Sequence, residues 1–197
     1  MLVSILLATR SRVNRAIKTI KSICNTANSE DFEILLRIDD DDHESIASIP
    51  LFKRYEKFSK IIVGNRYRGY LDHSKFMDEL VEVARGKWLF FFDDDTIIMG
   101  KGWDEKLTEV PLHGKIVHPE FYWLGPSKYP SGSCEPVAIC VPNRCWEQYG
   151  QKILEQPIDM HLQQLLSNNG WENYWLRNIV AYHKRDDEAT LFAHRQL

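Results

Sequence analysis

The stretch GKWLFFFDDDTIIM, from Gly86 to Met99, decides how the rest of the sequence is interpreted. Large apolar side chains run directly into three consecutive aspartates, after which the chain returns to apolar residues. A short apolar run bounded by turn-forming residues is typical of a strand buried on both faces. The aspartates are therefore either a solvated turn or a set of carboxylates held together around a cation.

Strand-like and helix-like segments alternate on either side of this stretch. The apolar runs VSILLAT, FEILLRID and SKIIVG predict three strands before it. Apolar residues at helical spacing predict helices in RVNRAIKTIKSICNTA and DHSKFMDELVEVARG, the second with Asp72 as its N-cap and Gly86 as its stop. This alternation predicts βαβ units, and hence an α/β fold with a mostly parallel central sheet flanked by helices.

The half of the chain after Met99 has a less regular pattern. Helices are predicted in GKGWDEKLTEV, RCWEQYGQKI and QPIDMHLQQLLSNNG, and strands in GKIVHPEFYWLG, CEPVAICVP and WLRNIVAYHKRDDE. Neither a linker nor an internal repeat divides the sequence. We therefore predict a single domain over residues 1–197 with a mixed second half.

Length and composition restrict the class of protein. The chain has 197 residues, 44% of them hydrophobic, which suffices for one substantial core. The formal net charge of −3 supplies no basic field, so nucleic acid is not an expected partner. The apolar run that opens MLVSILLATRSR reads as a strand and not as a signal peptide or membrane span, so no integral membrane segment and a cytoplasmic location are expected. Four cysteines without a CxxC pair are expected to be reduced thiols.

Polar residues gather at the carboxyl ends of three predicted strands. These ends are Thr9–Arg12, Asp39–Asp42 and Asp93–Asp95. In open α/β sheets, ligands bind in the crevice beyond the carboxyl ends of the strands. Acids from two strands and arginines from a third should therefore face one crevice, which suits a phosphorylated, metal-bound ligand.

Several of these segments together resemble a known protein family. The strand ending in TRSR, the strand ending in IDDDD, the segment RYRGYLDHSKFMDELVEVARGKWLFFFDDDTIIMGKGWDE and the late PID together resemble small, family-2-like glycosyltransferases of the GT-A fold. The resemblance implies a GT-A fold with a single Rossmann-like domain. Residues 1–99 would form its nucleotide-binding half and residues 100–197 its acceptor-binding half.

The aspartate triplet looks like the DXD motif of these enzymes, which holds a divalent cation on the diphosphate of a nucleotide sugar. Carboxylates are ligands that Mn²⁺ and Mg²⁺ prefer, and alternation along a strand puts the first and third acids on one side. We therefore expect Asp93 and Asp95 to bind the metal, with Asp93 also serving the donor. Asp94 is expected to contact ribose or sugar hydroxyls. The resemblance adds His183 as a third metal ligand.

The same resemblance implies a nucleotide site, with UDP favoured over GDP or TDP. Asp39 or Asp40 would accept a hydrogen bond from uracil or ribose, and Thr9 and Arg10 would contact the same nucleotide. Arg66 is a further candidate for phosphate or base. The neighbouring acids are expected to form a solvated loop: Asp41, Asp42 and Glu44.

An inverting sugar transfer also requires a base on the acceptor side. By the order of motifs along the chain, the resemblance implies Asp159 as this base, at the start of a predicted helix. Glu135 is the alternative base. The sequence departs from the family in the helix DHSKFMDEL, which lacks the usual Arg-Asn pair and offers His73 or Lys75 instead.

The predicted function is transfer of a sugar to a hydroxyl of a glycan, a lipid-linked or a protein-linked acceptor. Two other classes of protein are the alternatives. A sugar-nucleotide nucleotidyltransferase of related fold needs a glycine-rich loop after the first strand, and LATRSRVNR contains no glycine. The second class is a non-catalytic nucleotide- or glycan-binding module. Alanine at Asp95 should abolish transfer by an enzyme, whereas a metal-independent binding module should keep its affinity for the ligand.

Overall fold

The described residues contribute eight strands to one sheet in the computed structural model, which describes residues 2–55, 59–124, 138–150 and 158–184. The order across the sheet is β3-β2-β1-β4-β7-β6-β8-β5. In chain order the strands are β1 (Val3–Thr9), β2 (Phe32–Asp39), β3 (Ser59–Gly64), β4 (Trp88–Phe92), β5 (Thr96–Met99), β6 (Lys115–Leu124), β7 (Ala138–Pro142) and β8 (Glu172–Lys184).

The four strands on the first side of the sheet run parallel. β1 lies between β2 and β4, and β3 adds to the outer edge of β2. Thr9 is level with Ile38, and Asp39 is level with Gly64, so these strands end at one edge. The α/β fold with parallel strands predicted from the alternating pattern is confirmed.

The other four strands form the mixed half of the sheet. β4 pairs with β7 in the antiparallel sense, β7 with β6 likewise, and β6 with β8 in parallel. The short strand β5 leaves the aspartate triplet and pairs antiparallel with β8, which sets Thr96 opposite His183. The four apolar residues of β5 did not by themselves predict a separate strand. The strand forms by pairing with β8, which lies more than eighty residues further along the chain.

Seven α-helices of the described chain connect and cover these strands. They are α1 (Val13–Thr26), α2 (His43–Ala47), α3 (Ile49–Phe52), α4 (His73–Val81), α5 (Trp103–Thr108), α6 (Asn143–Tyr149) and α7 (Ile158–Asn168). Short 3₁₀ turns span Lys53–Tyr55 and Gly69–Asp72. Among these helices, none within the described ranges has both the length and the apolar character to cross a bilayer.

The predicted N-cap position of the helix before β4 is confirmed, whereas its predicted end is wrong. Asp72 occupies the N-cap position of α4, but its carboxylate accepts hydrogen bonds from Arg68 instead of capping the helix. The helix ends at Val81, five residues before Gly86. Gly86 therefore does not end the helix, and its role lies in packing.

Strand alternation divides the core between the two faces of the sheet. In β4, the side chains of Trp88, Phe90 and Phe92 join the core under α1 and α5. Leu89 and Phe91 join the core under α4, α6 and α7. All five are at least 95% buried, and burial of each such side chain contributes about 1.5–3 kcal/mol. WLFFF is thus the apolar centre of both layers, as expected for a strand buried on both faces.

Gly86 closes the amino-terminal edge of the sheet. Its N–H donates to Ser4 Oγ at 2.8 Å, and that hydroxyl donates to Glu33 Oε1 at 2.7 Å. Arg85 also donates to Glu33 through its backbone and its guanidinium. A Cβ atom on Gly86 would lie 2.3 Å from the Ser4 backbone nitrogen, which no side chain can tolerate without a backbone shift.

Gly86→Ala is therefore expected to lower the free energy of unfolding by about 3 kcal/mol, since the added methyl forces β4 away from β1. Urea denaturation would measure the loss. Gly114→Ala is the matched control, because its Cβ would meet nothing within 4 Å and would add only the strain of its positive φ, about 1 kcal/mol. Equal losses in the two variants would contradict the packing role of Gly86.

Candidate active site

The carboxyl edge of the parallel strands brings together residues far apart in the chain. The Thr9 hydroxyl, at the end of β1, donates to Asp94 Oδ2 at 2.5 Å. Arg10 Nη1 donates to Asp39 Oδ2 at 3.0 Å, at the end of β2. The three polar strand ends predicted from the sequence thus meet in one place, as parallel strands require.

Asp93, Asp95 and His183 form a compact cluster at this edge. One ligand atom from each lies within 4.8 Å of the other two. His183 Nε2 is 2.8 Å from Asp95 Oδ1 and 3.7 Å from Asp93 Oδ2. His183 reaches this position because β8 pairs with β5 directly after the aspartate turn. Two carboxylates and an imidazole are suitable ligands for a divalent cation.

The charges in the cluster are unevenly compensated. The side chain of Asp93 is 45% exposed, yet desolvation by surrounding protein atoms raises its pKa to about 6, and the Asp95 charge adds to the rise against the opposing effect of His183. Burial acts to raise the pKa of Asp95 as well, but His183 and the nearby arginines outweigh it and hold that pKa below its usual range. A cation beside Asp93 would relieve the uncompensated negative charge.

Asp94 points away from this cluster and into the protein. It is 1% exposed, and its carboxylate contacts the Thr9 hydroxyl and, at 2.6 Å, Arg12 Nη2. Thr19 in α1 donates to its backbone carbonyl at 2.8 Å. Desolvation raises the pKa of Asp94 to about 7, against the opposing charge of Arg12. These contacts tie the aspartate turn to β1 and α1, and the expected contact with sugar or ribose stays a prediction.

Two arginines of α1 and its preceding loop contact the metal-ligand candidates. Arg12 Nη1 lies 3.2 Å from Asp95 Oδ2, and Arg15 Nη1 lies 3.4 Å from the same atom. Both therefore contact the oxygen of Asp95 that faces away from His183, which orients the carboxylate in the manner of outer-sphere donors around metal ligands. Arg12 belongs to the Thr9–Arg12 strand end whose arginines were expected to face the crevice, whereas the sequence analysis did not single out Arg15. Arg12 is the N-cap of α1 and Arg15 follows three residues later, a spacing that places the two on one face.

An open cleft of about 390 Å³ adjoins these arginines at the N-terminus of α1. Its lining is strongly basic and consists of Arg10, Ser11, Arg12, Val13, Asn14, Arg15 and Glu44. Free N–H groups and the helix dipole add positive potential at a helix N-terminus. The cleft is therefore suited to an anion.

The predicted nucleotide residues lie around Asp39. Asp39 is 5% exposed and is held between Arg10 and Arg37, whereas Asp40 is exposed. Arg66 is 51% exposed and lies 3.5 Å from Asp41, which also pairs with Arg10. Their contacts with a nucleotide stay predictions.

One acid of the DDDD run was wrongly interpreted as part of a solvated loop. Asp42 is 3% exposed and caps α2, accepting from the backbone N–H of Ser45 at 3.2 Å. It also accepts from the Ser11 backbone N–H at 2.7 Å. Asp41 and Glu44, by contrast, are exposed as expected. Asp42 therefore joins the β1–α1 loop to α2.

The acceptor-side candidates are less closely defined by contacts. Asp159 lies in the first turn of α7, which packs on β7 and α6, across the sheet from α1. Its role as the base stays a prediction, and Glu135 lies outside the described residues. His73 begins α4, where desolvation, aided by the charge of Arg12, lowers its pKa to about 4. His73 is therefore a neutral imidazole at neutral pH.

The fold and site define a class of protein. Solved structures with the same fold are GT-A glycosyltransferases. S. aureus TarS 1–349 has a TM-score of 0.72 at 14% identity, with 93% of this chain and 60% of that chain covered. TarS 1–349 in complex with UDP-GlcNAc has a TM-score of 0.70 at 13% identity, covering 95% and 59%. GalNAc-T7 with UDP, GalNAc and Mn²⁺ has a TM-score of 0.75 at 10% identity, covering 95% and 44%.

The sequence itself assigns the family. The model of glycosyl transferase family 2 matches residues 4–130, so the chain belongs to this family, as its motifs indicated. No curated protein sequence matches the chain. The chain spans about 60% or less of the length of the solved structures named above.

Asp42 generates a prediction that is independent of catalysis. Asp42→Ala should lower the free energy of unfolding by about 1–2 kcal/mol at neutral pH, because α2 loses its cap and Ser11 loses its acceptor. Burial opposes the change, but hydrogen bonds from Ser45 and Ser11 lower the pKa of Asp42 in the folded protein. Its contribution is therefore present above the unfolded pKa of about 4 and is lost as the pH falls through the folded pKa.

Urea denaturation of wild type and variant at a series of pH values would measure this difference. The gap between them should close as the solution is acidified. Asp41→Ala is the control, because this exposed neighbour should leave stability nearly unchanged. A gap that is constant with pH would contradict the role given to the Asp42 carboxylate.

Proposed function

We propose that the chain transfers a sugar from a nucleotide-diphosphate sugar, with UDP as the nucleotide, to a hydroxyl acceptor. The observation that carries this proposal is the convergence of Asp93, Asp95 and His183 at the carboxyl edge of the parallel strands. Membership of glycosyl transferase family 2 supports the reaction class. The complexes of TarS with UDP and of GalNAc-T7 with UDP support the nucleotide.

The basic cleft supports binding of the donor's diphosphate. Arg10, Arg12 and Arg15 line it together with the start of α1. Arginine forms paired hydrogen bonds with phosphate oxygens, and a helix N-terminus adds N–H donors. The diphosphate would therefore lie between these cations and the Asp93–Asp95 turn, with the nucleoside toward Asp39.

We propose Mn²⁺ or Mg²⁺ as the cofactor, held by Asp93, Asp95 and His183. The imidazole favours Mn²⁺, because Mg²⁺ usually takes only oxygen ligands. When bound, the ion neutralises the negative charge that develops on the departing diphosphate. Arg12 and Arg15 hold Asp95 in place for this purpose, and Asp94 anchors the turn.

The proposed transfer is inverting, with Asp159 as the base. The acceptor hydroxyl oxygen forms a bond to the anomeric carbon while the bond from that carbon to the diphosphate oxygen breaks. The bonding electron pair leaves with the diphosphate, and the hydroxyl proton passes to the Asp159 carboxylate. The arginines of the cleft stabilise the anion that forms. A glycan, a lipid-linked or a protein-linked hydroxyl would satisfy this chemistry.

Calorimetric titration of UDP in the presence of Mn²⁺ tests the donor site. Wild type should bind, and EDTA or Asp95→Ala should weaken the affinity at least about tenfold, because the diphosphate loses its cation. If the wild-type protein hydrolyses UDP-sugars and Asp95→Ala does not, the protein is an enzyme and not a binding module. Asp104→Ala is the matched control, since Asp104 is equally buried but accepts from Asn28 and Ser29 away from the site.

Failure of wild type to bind UDP, GDP or TDP with Mn²⁺ would overturn the donor site. Metal-independent binding of UDP that survives Asp95→Ala would overturn the assignment of Asp95 as a metal ligand.

Asp159→Asn tests the base. Turnover of a UDP-sugar with an acceptor should fall by about 10²–10⁴-fold, whereas the affinity for UDP should not change, because the amide keeps the shape of the side chain but cannot take the proton. The control is Glu147→Gln, an acid on the exposed face of α6. Unchanged turnover in Asp159→Asn would remove the role from Asp159.

A further inference from the structure

A buried arginine lies directly beside the predicted nucleotide site. Arg37 is in β2, two residues before Asp39, and only 1% of it is exposed. A buried charge is costly unless it is fully paired, and an apolar residue would fill the interior of a strand at lower cost. The contacts of Arg37 therefore indicate the role of its buried charge.

Each part of the Arg37 guanidinium has a partner from a different element. Nη1 donates to Asp39 Oδ1, Nη2 donates to the Asn65 carbonyl, and Nε donates to Glu79 Oε2 at 3.0 Å. The guanidinium carbon also lies 4.3 Å from the centre of the Phe76 ring. Contacts from the residue that follows β3 and from α4 thus hold Arg37 in one orientation, and Arg37 in turn orients the Asp39 carboxylate.

A hydrogen-bonded chain extends this arrangement to the surface. The Tyr67 hydroxyl donates to Glu79 Oε1 at 2.8 Å, on the carboxylate that also holds Arg37. Tyr67 is 44% exposed and has a φ of 50°, a conformation that costs energy for a bulky residue. Contacts that run from Tyr67 through Glu79 and Arg37 thus connect a strained surface residue to the buried carboxylate of Asp39.

Asp39 keeps acceptor capacity for a ligand. A carboxylate has about four acceptor positions, and Arg37 and Arg10 take one on each oxygen. Arg37 holds the inner side, whereas Arg10, with 36% of its side chain exposed, holds the solvent side. The pair Asp39 and Arg10 therefore presents a hydrogen-bond acceptor next to a donor.

We infer that Arg37 is a positioning residue that aims the Asp39 carboxylate at a ring N–H of the nucleobase, so that the site selects uracil over cytosine. This inference rests on the proposed function. Uracil offers an N–H donor at N3 next to a carbonyl oxygen, which matches Asp39 and Arg10. Cytosine has a lone pair at N3 and an amino group in place of the carbonyl, so it sets a lone pair against the carboxylate and N–H groups against the guanidinium.

Titration of UDP and of CDP into the Mn²⁺-loaded protein tests the inference, because the two nucleotides differ only in the base edge. Wild type should bind UDP at least about tenfold more tightly than CDP. Arg37→Met should reduce that ratio to about threefold or less, because Asp39 loses its inner partner and its orientation. Arg37→Lys, which keeps the charge, should recover part of the ratio.

Arg85→Met is the matched control. Arg85 pairs with Glu33 near the opposite end of β2 at 2.8 Å, so its loss also removes an arginine from a buried carboxylate. It should leave the ratio of UDP to CDP affinity as in wild type. A purely structural role for Arg37 would weaken both nucleotides equally and leave the ratio unchanged, and that result would overturn the inference.

Asp39→Asn covers the case in which Arg37→Met does not fold. The amide can donate to N3 of cytosine, so the affinities for UDP and CDP should come within about threefold of each other. A wild-type preference for UDP that persists in Asp39→Asn would overturn the inference while leaving the proposed function in place. Failure of wild type to bind any of UDP, CDP and GDP would overturn both.

Discussion

The buried carboxylate of Asp94 is the contact on which the site depends. It joins the Thr9 hydroxyl at the end of β1 to Arg12 at the start of α1, and Thr19 holds its backbone carbonyl. An acid this deeply buried is stable only with such partners, because desolvation is costly. With Asp94 directed inward, its neighbours Asp93 and Asp95 must face the crevice.

The second requirement is the reversal of the chain after the aspartates. β5 is only four residues long and gains its place from pairing with β8. That pairing brings His183 to Asp95 across 88 positions of sequence. The site therefore combines the parallel half of the sheet, which supplies the acids, with the mixed half, which supplies the imidazole.

Two pairs of arginines compensate the negative charge of the acids in the crevice. Arg12 and Arg15 compensate the acids of the turn, and Arg10 and Arg37 compensate Asp39. A concentration of carboxylates at one sheet edge would otherwise be self-repulsive. Arg10, Arg12 and Arg15 also line the cleft at the start of α1, so cations that stabilise the fold are also suited to an anionic donor.

The sequence by itself determined the strands β1 to β4, the helices α1 and α4, and the meeting of three polar strand ends, because apolar periodicity is local and parallel strands share one edge. The DXD motif and the family followed from short, contiguous motifs. Only the tertiary structure separated the roles of adjacent acids. It buried Asp94 against Arg12, used Asp42 as a helix cap, and paired the buried Arg37 with Asp39. These outcomes depend on partners distant in sequence or on burial, which no local pattern records.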